Sequence, residues 1–120
     1  MPRAAPPLPV PLPPVWFHLL LALTGGERHG YALMDDVARE SDGALRLGPG
    51  TLYGALKRLL ELGLVEESAR RPDPAMDDER RRYYRLTPAG RRILAAEAAR
   101  HDHLVVLARA KRVLPRPRPA

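Results

Sequence analysis

Apolar residues recur at helical spacing in four stretches of this chain and alternate in two more. Leu52, Leu56, Leu59 and Leu60 fall at i, i+4, i+7 and i+8, which predicts a helix with a single buried face. Gly48-Pro49-Gly50 opens it, with Pro49 suited to the first helical position, and Gly63 closes it as the residue just past the end. Upstream, Trp16, Leu19, Leu20 and Leu23 predict a nearly all-round apolar helix over Val15–Thr24, ended by Gly25-Gly26. A second helix is expected over His29–Ser41. Leu33, Val37, Tyr31 and Met34 would face inward there, and Asp35, Asp36, Arg39 and Glu40 would face water.

Leu45-Arg46-Leu47 alternates and could pair as a short strand. Leu64–Arg70 and Arg81–Leu86 read as two strands of a hairpin, joined by a polar loop over Arg71–Arg80 that contains two prolines. In the second strand Tyr84 and Leu86 share one face, and Arg81, Tyr83 and Arg85 the other. Thr87-Pro88 then caps and starts a last helix that can run to Leu114, where Pro115, Pro117 and Pro119 stop it. Its length, roughly 40 Å at 1.5 Å per residue, exceeds what so small a body can cover. Leu94, Ala98, His101, Val105 and Ala108 recur in steps of four and three, flanked by Ile93, Leu104 and Leu107. That seam is expected to pair with a second copy of itself. The expected organisation is a proline-rich arm (1–14), a helix–helix–hairpin domain (15–87), a dimerisation helix (88–114) and a proline-rich tail (115–120).

Composition sharpens the partner more than the fold. With 120 residues there is room for one modest core. The net charge of +6, with 20 basic residues, favours a polyanionic partner. Six arginines and no acid lie between Arg80 and Arg92. The absence of cysteine removes disulfides and thiolate metal sites and fits a reducing cytosol, so a cytoplasmic protein is expected. Val15–Leu23 is too short to span a bilayer, and no membrane partner is expected.

Candidate chemistry is sparse. No nucleophile–base set, phosphate-binding glycine loop or HExxH pattern occurs, so no enzyme and no cofactor is expected. Asp35 and Asp36 would point about 100° apart on a helix and make a poor acid–base pair. Asp77-Asp78-Glu79 has no ligand spacing, and His101 and His103 face different ways, so no metal site is expected. The outward face of the third helix is different. It carries Thr51, Gly54, Lys57 and Arg58, with Tyr53 at its edge, and no acid before Glu61. Small residues, one aromatic and two cations suit a DNA major groove, although an ordinary solvated face has the same composition.

The order helix, helix, short strand, helix, strand, basic loop, strand, long helix is that of a winged helix-turn-helix, mainly α with a small β-hairpin, with a long C-terminal dimerisation helix appended. The sequence also resembles the PadR-type transcriptional regulators. The resemblance is carried by Leu19–Leu23 (LLLAL), His29–Met34 (HGYALM), Gly48–Leu59 (GPGTLYGALKRL) and Glu79–Gly90 (ERRRYYRLTPAG), and covers residues 15 to 100. It implies a homodimeric repressor that binds a two-fold-symmetric operator in double-stranded DNA and is released by a small-molecule effector or other signal. It further implies DNA contacts from Thr51, Tyr53 and Lys57 of the third helix, and from the hairpin arginines Arg80, Arg81 and Arg82. A candidate effector pocket would involve Trp16, Phe17 and Leu104. The chain departs from the family pattern at both ends, with a proline arm before the first helix and one helix in place of a larger effector domain. The competing classes are a non-specific nucleic-acid-binding winged helix and a protein-interaction module that binds no DNA.

Overall fold

The computed structural model describes residues 11–68 and 82–117. Helix α1 (Pro14–Ala22) begins at a proline in the first helical position and runs into a short 3₁₀ turn over Leu23–Gly25. Strand β1 (Arg28–His29) follows, then α2 (Gly30–Glu40), α3 (Pro49–Glu61), β2 (Val65–Glu67), β3 (Tyr83–Leu86) and α4 (Pro88–Ala110). Leu19, Leu20, Leu23, Leu33, Val37, Leu52, Leu56 and Leu59 are fully buried where α1, α2 and α3 converge. Each such side chain contributes about 1.5–3 kcal/mol on leaving water.

The sheet order is β1-β3-β2, all antiparallel, with Arg28 opposite Tyr84 and Val65 opposite Leu86. The third strand is therefore Arg28–His29 and not the expected Leu45–Leu47. Leu45 and Leu47 instead pack part-buried against the core, and the Leu45 N–H is taken by the Ser41 hydroxyl at 3.0 Å. Two inward leucines produced the alternation without any strand partner.

The helix ends follow their chemistry. After α3, Gly63 takes φ 73°, its N–H reaches the Leu60 carbonyl, and Leu64 N–H reaches Leu59. This double closure is what a left-handed residue after a helix allows. Thr87 then does two things. Its hydroxyl accepts from Gly90 N–H at 3.0 Å, capping α4, and donates to the Gly63 carbonyl at 2.6 Å. Gly90 is required because a Cβ there would lie 2.9 Å from the Leu64 carbonyl carbon. α4 stops at Ala110, short of the expected Leu114, because Arg112 turns left-handed at φ 62° and Val113 N–H closes back on Ala108. Its 23 residues still span roughly 35 Å.

Four further expectations change. Residues 11–13 are not a free arm: Leu12 is buried, and its N–H donates to the Glu97 carboxylate of α4 at 2.6 Å. Residues 1–10 lie outside the described residues. On α2, Tyr31 is 41% exposed although it was expected inward, and Asp36 is 4% exposed although it was expected in water. His29 is the N-cap and not the first helical residue, its Nδ1 accepting from Ala32 N–H at 3.2 Å.

Candidate nucleic-acid interface

Leu52, Ala55, Leu56 and Leu59 pin α3 to the body, so Thr51, Gly54, Lys57 and Arg58 stand in solvent. Nothing lies within 4 Å of a Cβ built at Gly50 or Gly54. These glycines therefore answer no packing need among the described residues, and they keep the helix surface low. Lys57 has no ion pair among the described residues, whereas Arg58 Nη1 rests on Glu61 at 3.2 Å.

Tyr53 does not present its hydroxyl outward. The side chain is half-buried, its oxygen is inaccessible, and its ring lies against the first residue of α2, where a Cβ on Gly30 would come 2.8 Å from Cζ. Tyr53 and Gly54 together line the cleft between α3 and the hairpin.

That cleft contains Lys57 and Glu61 on one wall, Glu67 and Arg82 on the other. Arg82 Nη1 reaches Glu67 at 3.1 Å, and Arg85 Nε reaches Glu66 at 2.8 Å while its Nη1 lies 3.6 Å from Glu27. The arginine-rich strand is thus less basic than its sequence: each described arginine of the hairpin has a carboxylate opposite, supplied by β2 or by Glu27. Arg80 and Arg81 lie outside the described residues, as do the loop 71–79 and its acidic cluster.

Along α4 the expected seam divides. Leu94 is 5% exposed and belongs to the chain's own core, so it is not free to face a partner. Ala98 is exposed on a neighbouring face. The His101 ring lies 4.5 Å from that of Phe17. Beyond it Val105 and Ala108 are half-buried, while Leu104 and Leu107 are 47% and 40% exposed. Trp16 and Phe17 are half-buried on α1, and Leu104 lies one turn past His101.

Two buried acids were missed by sequence reasoning. Glu97 accepts from Arg100 and from Leu12 N–H, with His101 Nε2 at 3.9 Å. The Arg100 hydrogen bond, aided by Leu12, outweighs burial and holds its carboxyl below the ordinary value. Asp36 receives Arg28 through both Nε (2.8 Å) and Nη2 (3.0 Å), and Arg39 Nη2 at 2.8 Å. Burial pushes the Asp36 carboxyl up, but the two arginines overcome it and hold it low. Both had a signal. Asp36 is three residues past Leu33 and Glu97 three past Leu94, each on an inward face with an arginine three residues on.

Among the described residues no helix is long and apolar enough to cross a membrane. The three packed helices, the hairpin braced by a third short strand, and a helix face bearing a cation with no ion pair among the described residues define a winged helix of the transcription-regulator class. The sequence profile of the transcriptional regulator PadR-like family matches residues 19–96, and the chain belongs to that family. It is 37% identical over 83 residues to the transcriptional regulator Rv3488 of Mycobacterium tuberculosis, covering 69% of this chain and 71% of that one. It is 45% identical over 80 residues to an uncharacterized 37.1 kDa protein in transposon TN4556 of Streptomyces fradiae; the match covers 67% of this chain and only 21% of that protein's length. The fold matches a PadR family transcription regulator from Clostridium difficile with TM-score 0.64 at 21% identity, covering 80% and 95% of the two chains. The family and its neighbours are regulators and not enzymes.

Proposed function

We propose that this regulator is a homodimeric, sequence-specific repressor that lays α3 in the major groove of a two-fold-symmetric operator and sets its hairpin wing on the flanking backbone. The observation that carries this reading is the α3 surface: Thr51, Gly54 and Lys57 exposed on a helix whose opposite face is locked in the core. Gly50 and Gly54 let the helix backbone approach base edges, Lys57 and Thr51 supply donors, and Arg58 is one weak exposed ion pair away from a phosphate. The flank of Tyr53 would lie along the groove wall. On the wing, Arg82 with Arg80 and Arg81 would take phosphates.

Specific over non-specific binding is favoured by the pairing of the described hairpin arginines: a charge-driven binder gains most of its affinity from free cations, and Arg82 and Arg85 would each exchange a nearby carboxylate for a phosphate. Dimerisation would use the part of α4 beyond the body, through His101, Leu104, Val105 and Ala108, with Ala98 at the margin. Residues 15–87 and 88–114 then act as reading head and pairing helix, although the start of the latter is shared with the head's core. A small effector would be taken near Trp16, Phe17 and Leu104, where movement of α1 against α4 would change the spacing of the two heads. The chain's place of work would be the cytoplasm.

The test is binding of the purified chain to DNA upstream of its own gene and to a scrambled duplex, over a salt series. Preference for the native duplex by about a thousandfold or more supports the reading. Equal, steeply salt-dependent binding of both duplexes contradicts it.

A further inference from the structure

Three consecutive residues, Arg28, His29 and Gly30, touch both elements proposed to read DNA. Arg28 and His29 form β1, opposite Tyr84 and Tyr83 of the hairpin strand β3. The His29 ring meets the Tyr83 ring edge-on at 5.6 Å. Gly30 is the residue against which Tyr53 of α3 lies. A strand of two residues has too few ladder bonds to hold a position by itself. Something must anchor it to the body.

Asp36 is that anchor. Its carboxylate is buried, and it grips Arg28 through two parallel hydrogen bonds one and a half turns along α2. Such a fork fixes distance and orientation together. Were stability the whole purpose, apolar side chains in place of the whole Arg28–Asp36–Arg39 set would serve as well or better. Arg39, reaching the same carboxylate from the solvent side, keeps it oriented and charged.

We propose that Asp36 is a positioning residue which, through Arg28, sets the wing hairpin at a fixed attitude to α3, so that one duplex meets both in a single geometry. The inference rests on the DNA reading above. Asp36→Asn keeps the shape of the side chain and removes the charge that holds the fork. Arg28→Lys keeps the charge and removes the fork.

The experiment uses the full chain and the duplex from upstream of its gene. Both variants should bind about tenfold more weakly or worse, with a shallower salt dependence, because wing-to-phosphate contacts are lost. Adding Arg82→Ala to Asp36→Asn should then cost little more, since both act through the wing. Additive losses with an unchanged salt slope overturn the proposal. Amide hydrogen exchange gives a second reading without DNA. Exchange at Tyr83–Leu86 should quicken in Asp36→Asn while α4 keeps its protection; unchanged exchange in β3, or equal quickening throughout, also overturns it. If the unsubstituted chain binds no duplex, the operator reading has failed, and the exchange pattern alone decides the role of Asp36.

Discussion

Gly30 and Tyr53 are fitted to one another: a single methyl group on the first residue of α2 would occupy the space held by the tyrosine's hydroxyl and the ring carbon that bears it. The contact sets how deeply α3 seats against α2 and buries the hydroxyl oxygen. It also joins two motifs that start 22 residues apart in sequence, His29-Gly30-Tyr31 and Thr51-Leu52-Tyr53. The second motif has a packing role, because its aromatic member is the socket for the first.

Gly30→Ala should therefore destabilise the chain by about 1–3 kcal/mol, the usual cost of inserting a methyl group into a packed site. Tyr53→Leu should recover part of that loss in the double variant by vacating the space. Urea unfolding of the four proteins reads the coupling. Strict additivity would mean that the two residues do not compete for one volume.

Lys57→Ala should cost about 1–3 kcal/mol of operator affinity if the amine reads a base edge. The variant should keep the stability of the parent, since the side chain has no ion pair among the described residues and stands in solvent. An unchanged titration against the native duplex would take Lys57 out of the interface.

The helices of the reading head were legible because their apolar spacing, their proline starts and their glycine stops agree, as at Pro49 and Gly63. The outward face of α3 followed directly. What was not legible depended on partners distant in sequence. β1 is two residues long and has no pattern; it exists because β3 offers an edge and Asp36 holds Arg28. The pairing of Arg85 with Glu66 and Glu27 appears only once the hairpin register is known. Leu94 was assigned to the seam because periodicity cannot say where along a helix the body ends.

Glu67→Gln should release Arg82 from its carboxylate and remove a negative charge from the cleft beside α3. Affinity for a scrambled duplex should rise more than affinity for the native one, so discrimination falls even as binding tightens. The half-exposed ion pair is itself worth less than about 1 kcal/mol, so stability should barely change. Equal affinities before and after the substitution, at low salt and for both duplexes, would show that Glu67 does not face DNA.

Acid should loosen the contact of residues 11–13 with α4. The folded-state carboxyl of Glu97 is held below its ordinary value by Arg100, with Leu12 N–H assisting. Its contribution is therefore complete above the ordinary glutamate value of about 4.3 and is lost as pH falls through the lowered one. Trp16, the single tryptophan, lies four residues past Leu12 and reports on residues 11–13 by fluorescence. Its acid transition should shift to higher pH, or vanish, in Glu97→Gln. Superimposable transitions in the two proteins would place the sensitivity elsewhere, with Asp36 the next candidate because its lowered carboxyl loses its contribution in the same direction.

One face of α4 has two uses along its length. Gly90, Leu94 and Glu97 lie on the side of α4 that the body covers, and the same side continues as His101, Leu104 and Ala108. Past His101 the covering thins: Val105 and Ala108 are half-buried, and Leu104 and Leu107 are left 47% and 40% exposed. Leu94→Ala should cost about 2–5 kcal/mol of folding stability, as for any buried leucine, without altering the mass in sedimentation. Leu104→Asp should do the reverse: fold as before but sediment as a monomer, since a carboxylate on the pairing face would have to be desolvated against its own copy. Operator affinity should then fall by about 10²–10⁴, the factor lost when two linked half-sites are bound independently. A dimeric Leu104→Asp protein with full affinity would mean that the chains pair through another surface.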